Sequence, residues 1–395
     1  MLEKIIQLDK SFYMNTFGDR TPLVFEKGSG IELTDSKGDV YKDFFAGIAV
    51  NALGHSHPKL VSALRNQIEN LIHTSSVYYI KNQALLAEKL CMKTCFDKVF
   101  FANTGAEANE GAIKLARKYF YNQGKDKYEI ITLNKSFHGR TITTATATGQ
   151  EKYKTPYAPL TPGFIHVDAN DIEGLKKSLS KNTCAIMVEL IQGESGVRPL
   201  DESFVKEIRK ICDDEDIIFI VDEVQTGIGR CGKLFAYELY GVEPDIITCA
   251  KALGGGVPIG AVLAKDFVAD SFKPGDHGTT FGGNPLSCRA GLATLEIIDE
   301  EKLIENASEM GDYFMNKLSE SIGEYASEVR GKGLMIGIEL KKNNAKEICK
   351  ELMNKKYLVG AVGDSVLRIV PPLIITKEDI DGIVNTLKNI LKGDN

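Results

Sequence analysis

Several things are missing from this chain, and each absence narrows what it can be. There is no excess of positive charge: 48 Lys and Arg stand against 54 Asp and Glu, a net charge of −6. A basic surface for nucleic acid or an anionic membrane is therefore not expected, and any phosphate must be gripped by local geometry. No uncharged stretch reaches the ~20 residues that cross a bilayer. The first segment, Met1-Leu-Glu-Lys-Ile-Ile-Gln-Leu-Asp9, carries acids too early and an apolar run too short for a signal peptide. The eight cysteines are scattered, with Cys91 and Cys95 spaced as on one helix face. Reduced, buried thiols in a cytoplasmic protein are expected rather than a disulfide framework. His55 and His57 flank a serine without further ligands at zinc-like spacing, so no metal site is expected. Repeats and low-complexity linkers are also lacking.

What remains is a chain of 395 residues, 43% hydrophobic and 26% charged, long enough for a large domain and a smaller one. From about residue 80 to 265, short apolar runs alternate with amphipathic stretches. Lys98–Ala102, Glu129–Leu133, Cys184–Glu189, Ile217–Val221, Asp245–Thr248 and Gly260–Ala264 read as strands buried on both faces. Helical patterns lie between them over Ala106–Tyr121, Asp171–Leu179 and Ser203–Glu215. This alternation predicts an α/β fold with a mostly parallel, doubly wound sheet, whose ligands sit beyond the carboxyl ends of the strands. A helix is expected after Asn284-Pro285. Strands near 333–340 and 366–370 and helices near 343–356 and 377–392 then suggest a smaller α+β domain. The expected division is 1–50 as a segment, with a hairpin near 31–41, packing on the small domain. Residues 51–288 form the large domain and 289–395 the small one.

The chemistry concentrates where those strands end. Asp222 closes the run Ile217-Ile-Phe-Ile-Val221, and Lys251 sits in Thr248-Cys-Ala-Lys-Ala-Leu-Gly-Gly-Gly256. A lysine that can form a Schiff base and an acid that can hold a pyridine nitrogen protonated are the pair a pyridoxal 5′-phosphate enzyme needs. Polar-poor surroundings would lower the lysine's pKa and make it nucleophilic near neutrality. Taken singly, Asp222 also fits a turn-capping acid and Lys251 an exposed loop lysine.

Other motifs are ambiguous alone. In Asn103-Thr-Gly-Ala-Glu-Ala-Asn109, Thr104 can cap a helix, and the first amides at Gly105 and Ala106 can receive a phosphate; an ordinary capped helix has the same pattern. In Phe137-His-Gly-Arg140, Phe137 can stack on a ring and Arg140 can grip a carboxylate, or both can be structural. Val224 and Gln225 would touch the ring's other face and its hydroxyl. Thr279 and Thr280, in a glycine-rich turn, offer hydroxyls to a phosphate or to their own backbone. Glu189, Glu194 and Arg368 are a further set in which an acid could neutralise an arginine.

Together these motifs give a resemblance. Gly47–Pro58, Asn103–Glu110, Phe137–Thr141, Asp222–Gly227, Ala250–Gly256, His277–Leu286 and Leu367–Pro372 resemble, in order and over nearly the whole chain, the class III pyridoxal phosphate-dependent aminotransferases of fold type I. Leu190 and Ser195 depart from residues common in that family, at positions away from the inferred chemistry. The resemblance implies that Lys251 carries the cofactor and shuttles the proton, and that Asp222 pairs with the ring nitrogen. Phe137, Val224 and Gln225 would hold the ring, and Thr104, Gly105 and Ala106 its phosphate. Thr280 would reach that phosphate from the other subunit of a homodimer with active sites at the interface, with Thr279 close to substrate. Arg140 would bind the distal carboxylate and Arg368 the α-carboxylate of glutamate, while Glu194 covers Arg368 when a longer amine is bound. Amino acids and 2-oxo acids would be the substrates. The run 47–55 favours N-acetylornithine as donor within the family, ahead of ornithine, 4-aminobutyrate or succinyldiaminopimelate, and a pyridoxal phosphate aminomutase is a more distant alternative.

Overall fold

A computed structural model describes residues 1–393. Its centre is a seven-stranded sheet. In chain order the strands are β1 (Lys98–Ala102), β2 (Glu129–Leu133), β3 (Phe164–Val167), β4 (Thr183–Val188), β5 (Ile218–Asp222), β6 (Ile246–Cys249) and β7 (Gly260–Ala264). Across the sheet they run β1-β7-β6-β5-β4-β2-β3. β7 alone is antiparallel to its two neighbours, and every other pairing is parallel. This is the α/β, mostly parallel architecture that the strand–helix alternation implies, and it agrees with the fold type I arrangement that the resemblance implies. The added edge strand β3 is half-exposed along most of its length, so Phe164-Ile-His-Val167 lacks the continuous apolar signature of its buried neighbours.

The central strands have no solvent-facing side. Every residue of β4, β5 and β7 is buried, and from Ala185 onward their apolar side chains divide by parity between two cores. Ile186, Val188, Phe219 and Val221 enter one cluster; Ala185, Met187, Ile218 and Ile220 enter the other, with the helix Gly105–Asn122 packed over it. A period of two with both sets apolar is what a strand covered by helices on both faces requires. Polar groups therefore collect where strands end: Glu189 after β4, Asp222 closing β5, Lys251 just beyond β6 and Asn103 just beyond β1.

A second, antiparallel sheet holds Ala326–Lys332, Met335–Leu340, Val366–Ile369 and Gly360–Val362 in that spatial order. Its register places Arg330, Gly337 and Arg368 side by side in three successive strands. The amino-terminal strands Phe25–Ser29, Glu32–Asp35 and Val40–Asp43 form a third sheet, joined in parallel by Tyr357–Leu358. The helix Pro285–Glu300 starts on Asn284, whose side chain accepts from Ser287 N at 2.8 Å. One local expectation fails. Cys91 lies in the helix Lys81–Met92, but Cys95 lies beyond its end, so the two do not share a helix face. All eight cysteines are free thiols, and burial pushes those of Cys184 and Cys288 up to about 12.

Candidate active site

A cavity of about 490 Å³ opens at the carboxyl ends of the parallel strands. Its lining brings together Thr104, Gly105, Ala106, Phe137, Arg140, Glu194, Asp222, Val224, Gln225 and Lys251. Arg368 stands behind it, reached through Glu194, and Thr279 touches the lining residue Asn103, whose Nδ2 donates to Thr279 Oγ1 at 3.1 Å. Thr280 is exposed and outside the lining of this cavity.

Lys251 opens a short 3₁₀ turn, with φ +40 and glycines at 254–256 following. A non-glycine residue in that region is strained, and strain of this kind persists only where the surroundings enforce it. Burial lowers the amine's pKa to about 8; Glu194 and Asp222 oppose the shift, while Arg368 adds to it. An amine there exchanges protons readily near neutral pH.

Asp222 is held from several sides. Asn109 Nδ2 donates to Oδ2 at 2.7 Å, and His138 Nδ1 lies 2.8 Å from the same oxygen. Val224 N donates to Oδ1 at 3.0 Å, so the acid also caps its own turn. Thr248 Oγ1 donates to Asn109 Oδ1 at 2.6 Å, fixing which end of that amide faces the acid. Burial works against protonation of His138, but the hydrogen bond and charge of Asp222 outweigh it and raise its pKa. Burial pushes Glu189 up to about 7, and its carboxyl accepts from Phe137 N at 2.8 Å and Gly193 N at 3.3 Å. It thus ties the Phe137 loop to the segment that carries Glu194. Sequence reading missed the supporting parts played by Asn109, His138 and Thr248. Each lay inside or beside a quoted motif; a polar residue on the apolar face of a helix, as Asn109 is, was the available signal.

At the start of Gly105–Asn122, Thr104 Oγ1 accepts from Glu107 N at 3.2 Å, which makes it the helix cap. Gly105 is needed for packing, since a Cβ there would meet Val224 Cγ1 at 2.7 Å. Arg140 is exposed and has no carboxylate within ion-pair distance among the described residues; its guanidinium carbon lies 4.0 Å from the centre of the Tyr153 ring. Arg368 is its opposite. It is buried, paired through Nη1 to Glu194 Oε1 at 2.5 Å and packed 5.5 Å from the Phe45 ring centre. Burial would raise the pKa of Glu194, yet the charge and hydrogen bond of Arg368 hold it below the usual carboxylate range.

The loop before Val50, another lining residue, is a left-handed turn: Ala46, Gly47, Ile48 and Ala49 all have φ between 48 and 64. For L-residues this costs about 1–2 kcal/mol each. Asp43 holds the turn, its Oδ1 accepting from Phe45 N and Ala46 N at 2.9 Å and its Oδ2 lying 2.8 Å from His55 Nε2.

This arrangement fits pyridoxal 5′-phosphate. Gln225 Oε1 is a buried acceptor without a partner, as a ring hydroxyl would require. Gly105 and Ala106, the first helical residues after the Thr104 cap, line the cavity, and free amides at a helix start favour an anion. The lysine and the acid that the cofactor needs line the same space.

Comparison with known proteins points the same way. A model of the class-III aminotransferases matches residues 13–391. The acetylornithine aminotransferase of Methanocaldococcus jannaschii is 50% identical over 98% of each chain. That of Aquifex aeolicus is 47% identical over 96% of this chain and all of its own. Among solved structures, the ornithine aminotransferase of Toxoplasma gondii superposes with a TM-score of 0.95 at 32% identity, covering 100% of this chain and 94% of its own. The acetylornithine aminotransferase of Elizabethkingia anophelis gives 0.89 at 35% identity, covering 99% of both.

Proposed function

This chain belongs to the class-III aminotransferases, and from that premise we propose that it moves an amino group between N2-acetyl-L-ornithine and 2-oxoglutarate. The products are N-acetyl-L-glutamate 5-semialdehyde and L-glutamate, a step of arginine biosynthesis. The relatives named above support the choice of donor. The cofactor is pyridoxal 5′-phosphate. When bound, it supplies an electrophilic aldehyde carbon and a ring that takes up the charge of a deprotonated substrate carbon.

The chain's own residues do the rest. Lys251 Nζ would hold the cofactor between turnovers, and when free its amine would carry the proton that moves between substrate and cofactor carbons. An amine with a pKa of about 8 can do both near neutrality. Asp222, fixed by Asn109, His138 and Val224, keeps a proton on the ring nitrogen. Phe137 and Val224 would hold the ring, Gln225 its hydroxyl, and Thr104, Gly105 and Ala106 its phosphate.

The observation that carries the substrate reading is the buried Arg368–Glu194 pair beside a cavity that the unpaired Arg140 also lines. A two-substrate cycle must accept a dicarboxylic acid and then a longer amine with one carboxylate. Arg140 binds the carboxylate distal to the reacting amine in both. Glutamate's second carboxylate displaces Glu194 from Arg368; with acetylornithine, Glu194 stays and keeps the buried guanidinium compensated. Thr279 lies near the substrate end.

The same reading takes the working unit as a homodimer with active sites at the subunit interface. Thr280, exposed in one chain, then reaches the partner's phosphate site. We divide the chain into a segment 1–50, a large cofactor domain 51–288 and a small domain 289–395. Among the described residues no helix is long and apolar enough to cross a membrane, and the eight thiols are unpaired; both accord with a cytoplasmic enzyme. The test supplies N-acetylornithine, ornithine and 4-aminobutyrate separately to the loaded enzyme and measures glutamate formed from 2-oxoglutarate. N-acetylornithine should give the highest kcat/KM. A higher value with either other amine, or amine loss beyond one equivalent per site without 2-oxoglutarate, would reject the assignment.

A further inference from the structure

The segment 193–197 crosses the small sheet along one row of residues. Arg330, Gly337 and Arg368 are direct partners in three neighbouring antiparallel strands, so their side-chain positions share a face. The two arginines are about 10 Å apart across the strands, with a glycine between them. Gly196 fills the gap. A Cβ on Gly337 would lie 2.8 Å from Gly196 O and 3.0 Å from Val197 Cβ. Gly196 itself has φ +101 and passes close to the Arg330 guanidinium.

Each arginine grips one end of this segment. Arg368 Nη1 donates to Gly193 O at 3.4 Å and to Glu194. Arg330 donates from Nε to Gly196 O and Val197 O, both at 3.0 Å, and from Nη2 to Gly196 O at 2.7 Å. The guanidinium is held in turn by Glu328 at 2.6 Å and Glu339 at 2.8 Å. Glu339 is fixed by Ser365 Oγ at 2.5 Å and by Arg198 Nη2 at 3.2 Å. Arg330 is buried and none of its bonds reaches the cavity, so nothing in the chemistry described above uses it.

We infer that Arg330, seated on Gly337, is a positioning residue that sets substrate selectivity by clamping the backbone next to Glu194. The inference rests on the reading of Glu194 and Arg368 given above and deepens it. With the carbonyls of 196 and 197 fixed, exchange between covered and uncovered Arg368 is confined to the Glu194 side chain. The two half-reactions then depend unequally on the clamp. When a monocarboxylate amine is bound, only Glu194 compensates the buried Arg368, and the pair needs its backbone in place. When glutamate is bound, the substrate's own carboxylate takes that role. Loosening the clamp should therefore penalise the acetylornithine half-reaction and largely spare the glutamate one.

The test measures each half-reaction separately, as single-turnover kcat/KM, in loaded parent enzyme, Arg330→Met and Gly337→Ala. The alanine pushes on Gly196 without altering any charge, and it serves if the arginine variant folds poorly. Amide exchange over 194–198 is followed in the same samples, and Glu328→Gln is the control that leaves the carbonyl bonds intact. Both variants should speed exchange there and shift the ratio of the two kcat/KM values at least about tenfold toward glutamate, the size of one lost charge-assisted hydrogen bond. The control should not shift it. An equal fall in both half-reactions, or no change in the ratio, overturns the inference. Failure of the parent enzyme to use both acids would instead overturn the underlying reading of the pair.

Discussion

The low proton affinity of Lys251 has a consequence for stability that can be measured without any turnover. Replacing Lys251 with Met in cofactor-free protein removes the amine while keeping a side chain of similar length. Both residues carry a Cβ, so the left-handed φ of +40 costs each about the same. A shift from 10.5 to about 8 corresponds to about 3 kcal/mol, at about 1.4 kcal/mol per tenfold change in proton affinity. The residue is half-buried rather than sealed, which trims this to about 2 kcal/mol. The sign follows from linkage. The folded chain holds this proton less tightly than the unfolded chain, so stability rises with pH between the two pKa values. Below about pH 8 the parent bears the whole penalty, and between about 8 and 10.5 it is relieved. Urea unfolding at a series of pH values should find Lys251→Met more stable by about 2 kcal/mol at pH 7. The gap should then close as pH approaches 10.5. Other titrating groups are common to both proteins and cancel in the difference. A gap that stays constant across that window would refute the reasoning, because only the titration of this amine can close it.

Three further outcomes are expected. Asp222→Asn must set an amide NH₂ against a donor, either Asn109 Nδ2 at 2.7 Å or Val224 N at 3.0 Å, costing about 1–3 kcal/mol of stability. Its single-turnover rate should fall about 10²–10⁴-fold, and a near-parental rate would mean that another group serves the ring nitrogen. Arg140→Ala should raise KM for glutamate and acetylornithine alike by about 10–100-fold; steady-state kinetics showing an unchanged KM would move the distal carboxylate site elsewhere. Glu194→Gln should lower kcat/KM for acetylornithine about tenfold or more while sparing glutamate, and the reverse preference would assign the acid a different task.

Much of the large sheet was legible because its strands are covered on both sides. Ile217–Val221 and Cys184–Val188 are apolar at every position, and over Ile217–Val221 and Ala185–Val188 the two parities serve two separate cores. Phe164–Val167 escaped notice because an edge strand can keep a histidine and half-exposed side chains. The site was legible where a residue type has few other uses in its setting, as with an acid closing a buried strand and a lysine beside glycines. It was opaque where the argument depends on three-dimensional neighbours. Asn109 stands out locally only as a polar residue on an apolar helix face, and nothing in the chain near it, His138 or Thr248 announces that they converge on Asp222. The Arg330–Gly337–Arg368 row exists only once strands distant in the chain are in register. The left-handed turn at 46–49 was similarly hidden, since Ile48 and two alanines are poor advertisements for positive φ.

The most direct measurement is to load the protein with pyridoxal 5′-phosphate, reduce it with borohydride and map the added mass by peptide sequencing. One cofactor equivalent should be found on Lys251, and pre-incubation with excess amino donor should prevent the labelling. Cofactor fixed to other lysines with position 251 unmodified would contradict the assignment of this cavity.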